Sequence, residues 1–180
     1  MLQQTQVTTV IPYFERFLNR FPDIEELSKS DLNEVLGLWS GLGYYARARN
    51  IHKTARLIVS EFGSSFPHNL DLLMQLPGIG RSTAGAILSI SMNIPSPILD
   101  GNVKRVLTRF HAIKGYPEQS EIKKKLWEVA GSHTPNTQFQ KYTQAIMDLG
   151  ATLCSRTTPR CEACPINSKC GAFKEDAIKT

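Results

Sequence analysis

Apolar residues recur along most of the chain with the i, i+3, i+4 spacing of an amphipathic helix. We expect Thr5 to cap the first such helix, Phe21-Pro22-Asp23 to end it, and Ser30 to cap the helix that runs to Leu38. The predicted apolar face of the first helix comprises Val7, Val10, Ile11, Phe14, Phe17 and Leu18. No segment alternates apolar and polar residues as a strand does, so the pattern predicts an all-α fold. The predicted helices span about 5–20, 23–28, 30–38, 44–62, 70–76, 82–92, 102–113, 119–130 and 136–153.

The loop from Asn93 to Pro97 separates two long groups of predicted helices. We therefore predict two domains, 1–96 and 97–180. The last residues, Ala172 to Thr180, are typical of a frayed tail. In the pair Tyr44-Tyr45 we expect one ring in the core and one on the surface.

A glycine-rich turn, Leu-Pro-Gly-Ile-Gly-Arg (Leu76 to Arg81), precedes the helix that begins at Ser82. Gly78 and Gly80 let the backbone turn sharply, so that the first helical amides point outward and favour an anion. Asp100 follows at the N-cap position of the next helix, where backbone N–H groups hold a carboxylate. A phosphate-binding turn followed by a fixed carboxylate predicts chemistry on a sugar-phosphate polymer.

Charge is distributed unevenly over the 180 residues, whose formal net charge is +5. Residues 1–96 carry 8 Lys and Arg against 8 Asp and Glu, whereas residues 97–180 carry 13 against 8. A basic half is a weak indication of nucleic-acid binding, since a modest excess of lysine is also typical of a solvated surface. The sequence shows no apolar run long enough to span a membrane and no secretory signal, so we expect no membrane partner and a cytoplasmic location.

All four cysteines lie near the end of the chain and are separated by six, two and five residues: Cys154, Cys161, Cys164 and Cys170. Disulfides are improbable in a cytoplasmic protein, so the cluster predicts one metal centre. The spacing leaves both zinc and a [4Fe–4S] cluster open, because each accepts four thiolates. The sequence indicates no open coordination position, which favours a closed structural centre over a catalytic metal.

These features together resemble the helix-hairpin-helix DNA glycosylases of the endonuclease III superfamily. Within it, three segments are similar to the A/G-specific adenine DNA glycosylase (MutY) family: Met1 to Val7, Gly41 to Asn50 and Leu99 to Val106. The resemblance covers essentially the whole chain. It implies a six-helix barrel lobe in 1–96 and an iron–sulfur lobe holding a [4Fe–4S] cluster in 97–180, with double-stranded DNA in the cleft between them. We expect a monomer.

The resemblance also implies roles for individual residues. Asp100 would stabilise the cationic sugar as adenine departs, although an isolated Asp-Gly pair is more often only a helix cap. Ser82 stands where strand-cutting members carry a lysine, and a serine cannot form their Schiff base. The implied substrate is adenine opposite guanine or 8-oxoguanine, released by hydrolysis that leaves an abasic site. The residues implied in DNA binding are Gln3, Gln4, Tyr44, Gly78, Gly80, Arg81, Ser82, Asn102 and Lys104.

One expected group is missing from the sequence. The family pattern places a general-acid glutamate two residues before the position of Met1, where it protonates the leaving adenine. Without that acid the rate should fall by several orders of magnitude. We therefore expect a fragment, a mis-assigned start or a truncated product, without the C-terminal domain that inspects 8-oxoguanine. The alternatives are a mismatch-binding module without catalysis, a bifunctional glycosylase and lyase, and a zinc-clamped structural domain.

Overall fold

The computed structural model describes residues 1–2 and 5–178, and within these ranges the regular elements are helices, with no β-strand. The predicted all-α class is therefore confirmed for the described residues. The chain divides into two compact units, 1–79 and 80–180. None of the described helices combines the length and the apolar character needed to cross a membrane.

The first unit is built on helices that pack around α4. Its elements are α1 (Val7–Arg20), α2 (Ile24–Lys29), α3 (Leu32–Trp39), α4 (Ala46–Phe62) and α5 (Leu70–Met74). Helices α2 and α3 pack against α4, and α1 packs against α3. Phe17 lies edge-on to Phe21 and Trp39, with ring centroids 5.0 Å and 6.2 Å away. Such aromatic pairs add to the stabilisation from area burial alone, so Phe17 helps to anchor α1.

The predicted apolar face of α1 is buried only in part. Val10 and Phe17 are in the core, whereas Val7, Ile11, Phe14 and Leu18 are 45–61% exposed. The reason is that Val10 and Phe17 are seven residues apart and share the side that meets α3. The periodicity of α1 therefore predicted the helix correctly, but it predicted more buried residues than the structure has.

The second unit contains Asp100, the cysteine loop and the helices that flank them. Its elements are α6 (Arg81–Ala86), a π-helical continuation (Ile87–Ser91), α7 (Gly101–Phe110), α8 (Ser120–His133), α9 (Phe139–Thr152), a 3₁₀ turn (Asn167–Lys169) and α10 (Gly171–Lys174). Helix α7 packs against α8, α9 and α10. The hydrophobic core of the second unit comprises Ile98, Leu99, Val103, Val106, Leu107, Ile113, Leu126, Ala130 and Ile146. Helix α7 is thus the central element of this unit.

The division between the units falls between Ile79 and Gly80, whereas the sequence placed the boundary after residue 96. The segment 96–99 belongs to the second unit, where it packs so closely against α6 that a Cβ on Gly85 would lie 2.3 Å from the carbonyl oxygen of Pro97. The assignment of 1–96 to a barrel lobe and 97–180 to an iron–sulfur lobe stays a prediction.

Three local predictions differ from the structure. Asp31, not Ser30, caps α3, because its carboxylate accepts from the Asn33 amide at 2.7 Å. Helix α1 begins after Gln6 without a side-chain cap, so Thr5 is not its N-cap. Ala172 is buried in α10, so the tail is ordered over Gly171–Lys174.

Candidate active site and cysteine cavity

Asp100 is the N-cap of α7, as the sequence predicted. Its backbone is extended, and its carboxylate accepts a hydrogen bond of 2.8 Å from the Val103 amide. The Asp100 carbonyl accepts the Lys104 amide, also at 2.8 Å, which begins the helical ladder. A carboxylate in this position interacts favourably with the positive end of the helix dipole. The fold therefore holds the Asp100 side chain at a fixed point at the start of α7.

Ser82 supports the segment that leads into Asp100. Its hydroxyl oxygen accepts a hydrogen bond of 3.0 Å from the backbone amide of Leu99, the residue directly before Asp100. One turn further along α6, Gly85 leaves room for the carbonyl of Pro97. Leu99 is buried, so its amide depends on a protein acceptor. Ser82 and Asp100 are thus brought together through one backbone hydrogen bond.

Two predicted DNA-binding cations of this unit already have partners. The Arg81 guanidinium lies 4.0 Å from the centre of the Trp127 ring, which is a close cation–π contact. Lys104 forms an ion pair with Glu118, and its side chain is 19% exposed. This pair lowers the pKa of Glu118, first through the hydrogen bond from Lys104 and then through the charge of Lys104.

Arg105 and Arg109, which sequence reasoning missed, connect α7 to the cysteine loop. Arg105 donates to the Asn102 side-chain oxygen at 2.9 Å and to the carbonyls of Gly150 and Cys154 at 2.5 and 2.6 Å. Arg109 donates to the Cys154 sulfur at 3.4 Å. The two arginines are four residues apart on α7, but their partner Cys154 lies 49 and 45 positions away, so no local signal in the sequence points to these contacts.

The four cysteines line one cavity. Its volume is about 30 Å³, and Cys154, Cys161, Cys164 and Cys170 all contribute to its wall, as does Arg109. Each cysteine is partly buried. Burial raises the pKa of the Cys161 thiol, the other three thiols raise it further, and Arg109 opposes them. The four cysteines are therefore brought to one place, beside a permanent cation.

The thiols share this cavity without forming a compact single-ion site. In residues 1–2 and 5–178, no group of three or more His, Cys, Asp or Glu side chains is arranged so that it could hold a metal ion. The donor set itself, four soft sulfur ligands and one flanking arginine, matches both zinc and iron–sulfur chemistry.

Tyr44, a predicted DNA-binding residue of the first unit, lies in the loop before α4. Tyr44 is 62% exposed and Tyr45 39% exposed, so the prediction of one core ring was wrong. The loop before them turns back through Gly41 and Gly43, both with positive φ, and this turn leaves both rings outside the core. Gln3 and Gln4 lie outside the described residues.

The hairpin glycines differ from each other. Gly78 has φ +79°, and a Cβ there would lie 2.7 Å from the Asn50 side-chain nitrogen, so only glycine suits this position. Gly80 has φ −86° and open space around its Cα. It caps α6 through its carbonyl, which accepts the Ala84 amide at 2.9 Å. The sharp turn predicted for two glycines is thus made by Gly78.

The structure combines a helical fold with a glycine hairpin, a capping aspartate and a four-cysteine loop. This combination is typical of the helix-hairpin-helix class of DNA repair proteins, and the family comparison agrees. Residues 1–131 match the model of the HhH-GPD superfamily of base excision DNA repair proteins. The chain belongs to this family, which confirms the helix-hairpin-helix resemblance seen in the sequence.

Particular relatives are similar over almost the whole chain. The adenine DNA glycosylase of Buchnera aphidicola subsp. Schizaphis graminum is 51% identical over 97% of this chain and 50% of its own length. The adenine DNA glycosylase of Homo sapiens is 43% identical over 96% of this chain and 32% of its own. The chain thus spans about half the length of the bacterial relative and a third of the human one.

Solved structures support the fold. A thermostable thymine-DNA glycosylase aligns with a TM-score of 0.86 at 24% identity, over 97% of this chain and 80% of its own. A non-covalent endonuclease III–DNA complex aligns with a TM-score of 0.81 at 23% identity, over 96% and 79%.

Proposed function

We propose that the protein removes adenine from DNA where adenine is mispaired with guanine or 8-oxoguanine, by hydrolysing the N-glycosidic bond. The adenine DNA glycosylases that match 96–97% of this chain support this substrate. The structural observation that carries the proposal is the position of Asp100, a carboxylate held by the Val103 amide directly after the residue that Ser82 supports.

Asp100 supplies electrostatic stabilisation in this proposal. Loss of adenine leaves positive charge on the sugar, as in glycoside hydrolysis, where a carboxylate stabilises an oxocarbenium-like transition state. Because the Asp100 carboxylate is fixed before the reaction, it stabilises that charge without reorganising. A carboxylate in this position also suits transient covalent attachment to the sugar.

Ser82 makes the proposed enzyme monofunctional. A strand-cutting glycosylase attacks the sugar with an amine and forms a Schiff base, and a hydroxyl group cannot do so. The Ser82 oxygen also accepts from the Leu99 amide, so it serves the backbone near Asp100. The product is therefore an abasic site in an uncut strand.

DNA contacts are proposed for both units. Gly78, Gly80, Arg81 and Lys104 would bind the phosphate backbone, and Asn102 would support the site near Asp100. Gln3, Gln4 and Tyr44 would fill the stack that the extruded adenine vacates, since extrusion of a base costs a few kcal/mol. The exposure of Tyr44 supports this role.

The four cysteines are proposed to hold a [4Fe–4S] cluster. The shared cavity and the Arg109 cation beside the thiols support a polythiolate centre that carries net negative charge. Such a cluster would clamp the loop from Cys154 to Cys170 as a structural centre. Reconstituting the protein with iron and sulfide without oxygen should give a brown protein with broad visible absorption, and Cys161→Ser should lose that absorption. A colourless protein that binds zinc stoichiometrically would contradict the cluster.

The activity is tested on duplexes that carry adenine opposite 8-oxoguanine, with an adenine–thymine duplex as the control. Since the resemblance places the general acid before Met1, we compare the chain with a variant whose N-terminal extension supplies that glutamate. The extended chain should produce strand breaks only after hot alkali, and the chain itself should be about 10²–10⁴-fold slower. Asp100→Asn should abolish adenine excision by both the extended chain and the chain itself.

Three results would contradict this proposal. The absence of alkali-labile sites with the extended chain would exclude adenine excision. Strand cleavage before alkali, or a DNA adduct trapped by borohydride, would indicate the bifunctional class instead. Full activity of Asp100→Asn would exclude Asp100 as the stabilising group.

A further inference from the structure

Tyr44 combines an unusual backbone conformation with an exposed ring. Its φ is +48°, in the left-handed region, and its side chain is 62% exposed. A non-glycine residue in this region is strained, and the conformation persists only where its surroundings enforce it. Such an outlier that presents an aromatic ring to solvent points to a functional constraint on Tyr44.

The peptide that joins Gly43 to Tyr44 is restrained from two sides. The Gly43 carbonyl accepts from the Trp39 indole nitrogen at 3.1 Å and from the Arg47 guanidinium at 3.3 Å. Trp39 is fully buried, so its indole is a rigid reference point for the loop. The Arg47 amide also donates to the Tyr44 carbonyl at 2.9 Å, which ties the loop to the first turn of α4.

Arg47 reaches beyond this peptide. Its guanidinium donates to the carbonyl of Leu42 at 3.3 Å, to the Thr5 hydroxyl at 3.1 Å and to the carbonyl of Met1 at 2.5 Å. Its guanidinium carbon lies 5.5 Å from the centre of the Tyr44 ring. A planar fork with five donors can satisfy several acceptors at once, which the single ammonium of lysine cannot do with the same geometry.

We propose that Arg47 is the positioning residue of Tyr44: it fixes the backbone and ring of Tyr44 in the exposed orientation from which the ring enters the DNA stack. This inference rests on the proposed function, in which Tyr44 fills the space left by adenine. Preorganising an exposed ring reduces the ordering cost at binding, so more of the stacking energy is available for base extrusion. Arg47 acts through Tyr44 and makes no contact with the reacting atoms in this proposal.

The first measurement uses the DNA-free chain. Backbone ¹⁵N relaxation should give Gly43 and Tyr44 order parameters near the rigid value of about 0.85, and below about 0.6 in Arg47→Lys. Trp39→Phe, which removes the other donor to Gly43 but keeps a core ring, should loosen the same two residues. Arg56→Lys, at an exposed position of α4, is the matched control and should change neither. Unchanged order parameters in Arg47→Lys would overturn the proposal, whatever the result for Trp39→Phe.

The second measurement uses a duplex in which 2-aminopurine replaces the adenine opposite 8-oxoguanine. Its fluorescence should rise as the base leaves the stack, and the rise should be several-fold smaller with Arg47→Lys and with Tyr44→Ala. The double variant should match Tyr44→Ala alone, because a residue that acts through Tyr44 has nothing left to position. Additive losses would overturn the proposal. No rise with the wild-type chain would instead refute DNA extrusion, while the relaxation data still decide whether Arg47 orders Tyr44.

Discussion

Arg105 donates a hydrogen bond of 2.6 Å to the carbonyl oxygen of Cys154, although the two residues are 49 positions apart in the sequence. Arg105 lies on α7, the helix that begins at Asp100, and Cys154 is the first of the four cysteines. The same guanidinium donates to Gly150 on α9 and to Asn102 in the first turn of α7. A single side chain therefore joins the proposed catalytic helix to the proposed cluster loop.

Replacing Arg105 with methionine should destabilise the second unit. The carbonyls of Gly150 and Cys154 would lose their donor, and partly buried acceptors without partners cost about 2–4 kcal/mol in total. Urea unfolding followed by circular dichroism measures this loss. Arg156→Met, at an exposed position of the cysteine loop, is the control and should cost less than about 0.5 kcal/mol. Equal stability of the two variants would contradict the role assigned to Arg105.

Gly85 provides a test of the packing beneath Asp100. In Gly85→Ala the new Cβ would lie 2.3 Å from the carbonyl oxygen of Pro97, a backbone atom that cannot move without displacing the segment before Asp100. Such overpacking costs about 1–3 kcal/mol. Gly131, a helical glycine of α8, has nothing within 4 Å of its Cβ position. Gly131→Ala should therefore stabilise the protein by about 0.5–1 kcal/mol, because alanine is the better helix former.

Thermal or urea unfolding measures the stability of both glycine variants. If this packing is correct, Gly85→Ala is less stable than the wild type and Gly131→Ala is more stable. Gly85→Ala should also slow adenine excision more than Gly131→Ala does, since it displaces the segment that Ser82 holds. A Gly85→Ala variant as stable as the wild type would show that the segment before Asp100 can move to accommodate a methyl group, and this would contradict the prediction.

Local chemistry explains what the sequence could predict. Helical periodicity located the helices, and the N-cap preference placed Asp100 correctly, because both depend on neighbours within one turn. Clustering along the chain was likewise enough to bring Cys154, Cys161, Cys164 and Cys170 to one cavity.

The remaining features depend on contacts between distant positions. Nothing near Arg47 or Arg109 in the sequence shows that their partners are Met1 and Cys154, which lie 46 and 45 positions away. The exposed side of α1 and the outward orientation of both Tyr44 and Tyr45 are also set by packing. Ser30 and Asp31 are both good N-cap residues, so only the structure decides which one caps α3.

Glu118 should restrain DNA binding in the free protein. It pairs with Lys104, which is a proposed phosphate contact, so a phosphate has to compete with this carboxylate. Glu118→Gln removes the competitor, and DNA affinity at low salt should rise about twofold to fivefold, the range expected for an exposed ion pair. The slope of log K against log salt should also steepen, by at most about one unit.

Fluorescence anisotropy with a labelled duplex over a series of salt concentrations measures both quantities. Glu121→Gln is the matched control, because Glu121 is an exposed acid on the neighbouring turn of α8. An equal gain from both variants would show a general charge effect and not the release of Lys104.

Stability should depend on pH through His111, whose Nε2 atom lies 2.7 Å from that of His133 where α7 and α8 end. Burial, then the charge of His133, then that of Lys125 lower the pKa of His111 below its ordinary value of 6.5. Between the lowered pKa and the ordinary one, the unfolded chain binds more protons at this residue than the folded chain does. Stability therefore rises with pH through this window and is lost as the pH falls through it.

The free energy of unfolding should accordingly increase from pH 5 to pH 7. Its slope should correspond to a difference of less than about one bound proton between the unfolded and the folded chain, and His111→Asn should reduce this slope. His68→Asn, at an exposed position in the first unit, is the control and should leave the slope unchanged. A pH dependence that survives in His111→Asn would assign it to other groups.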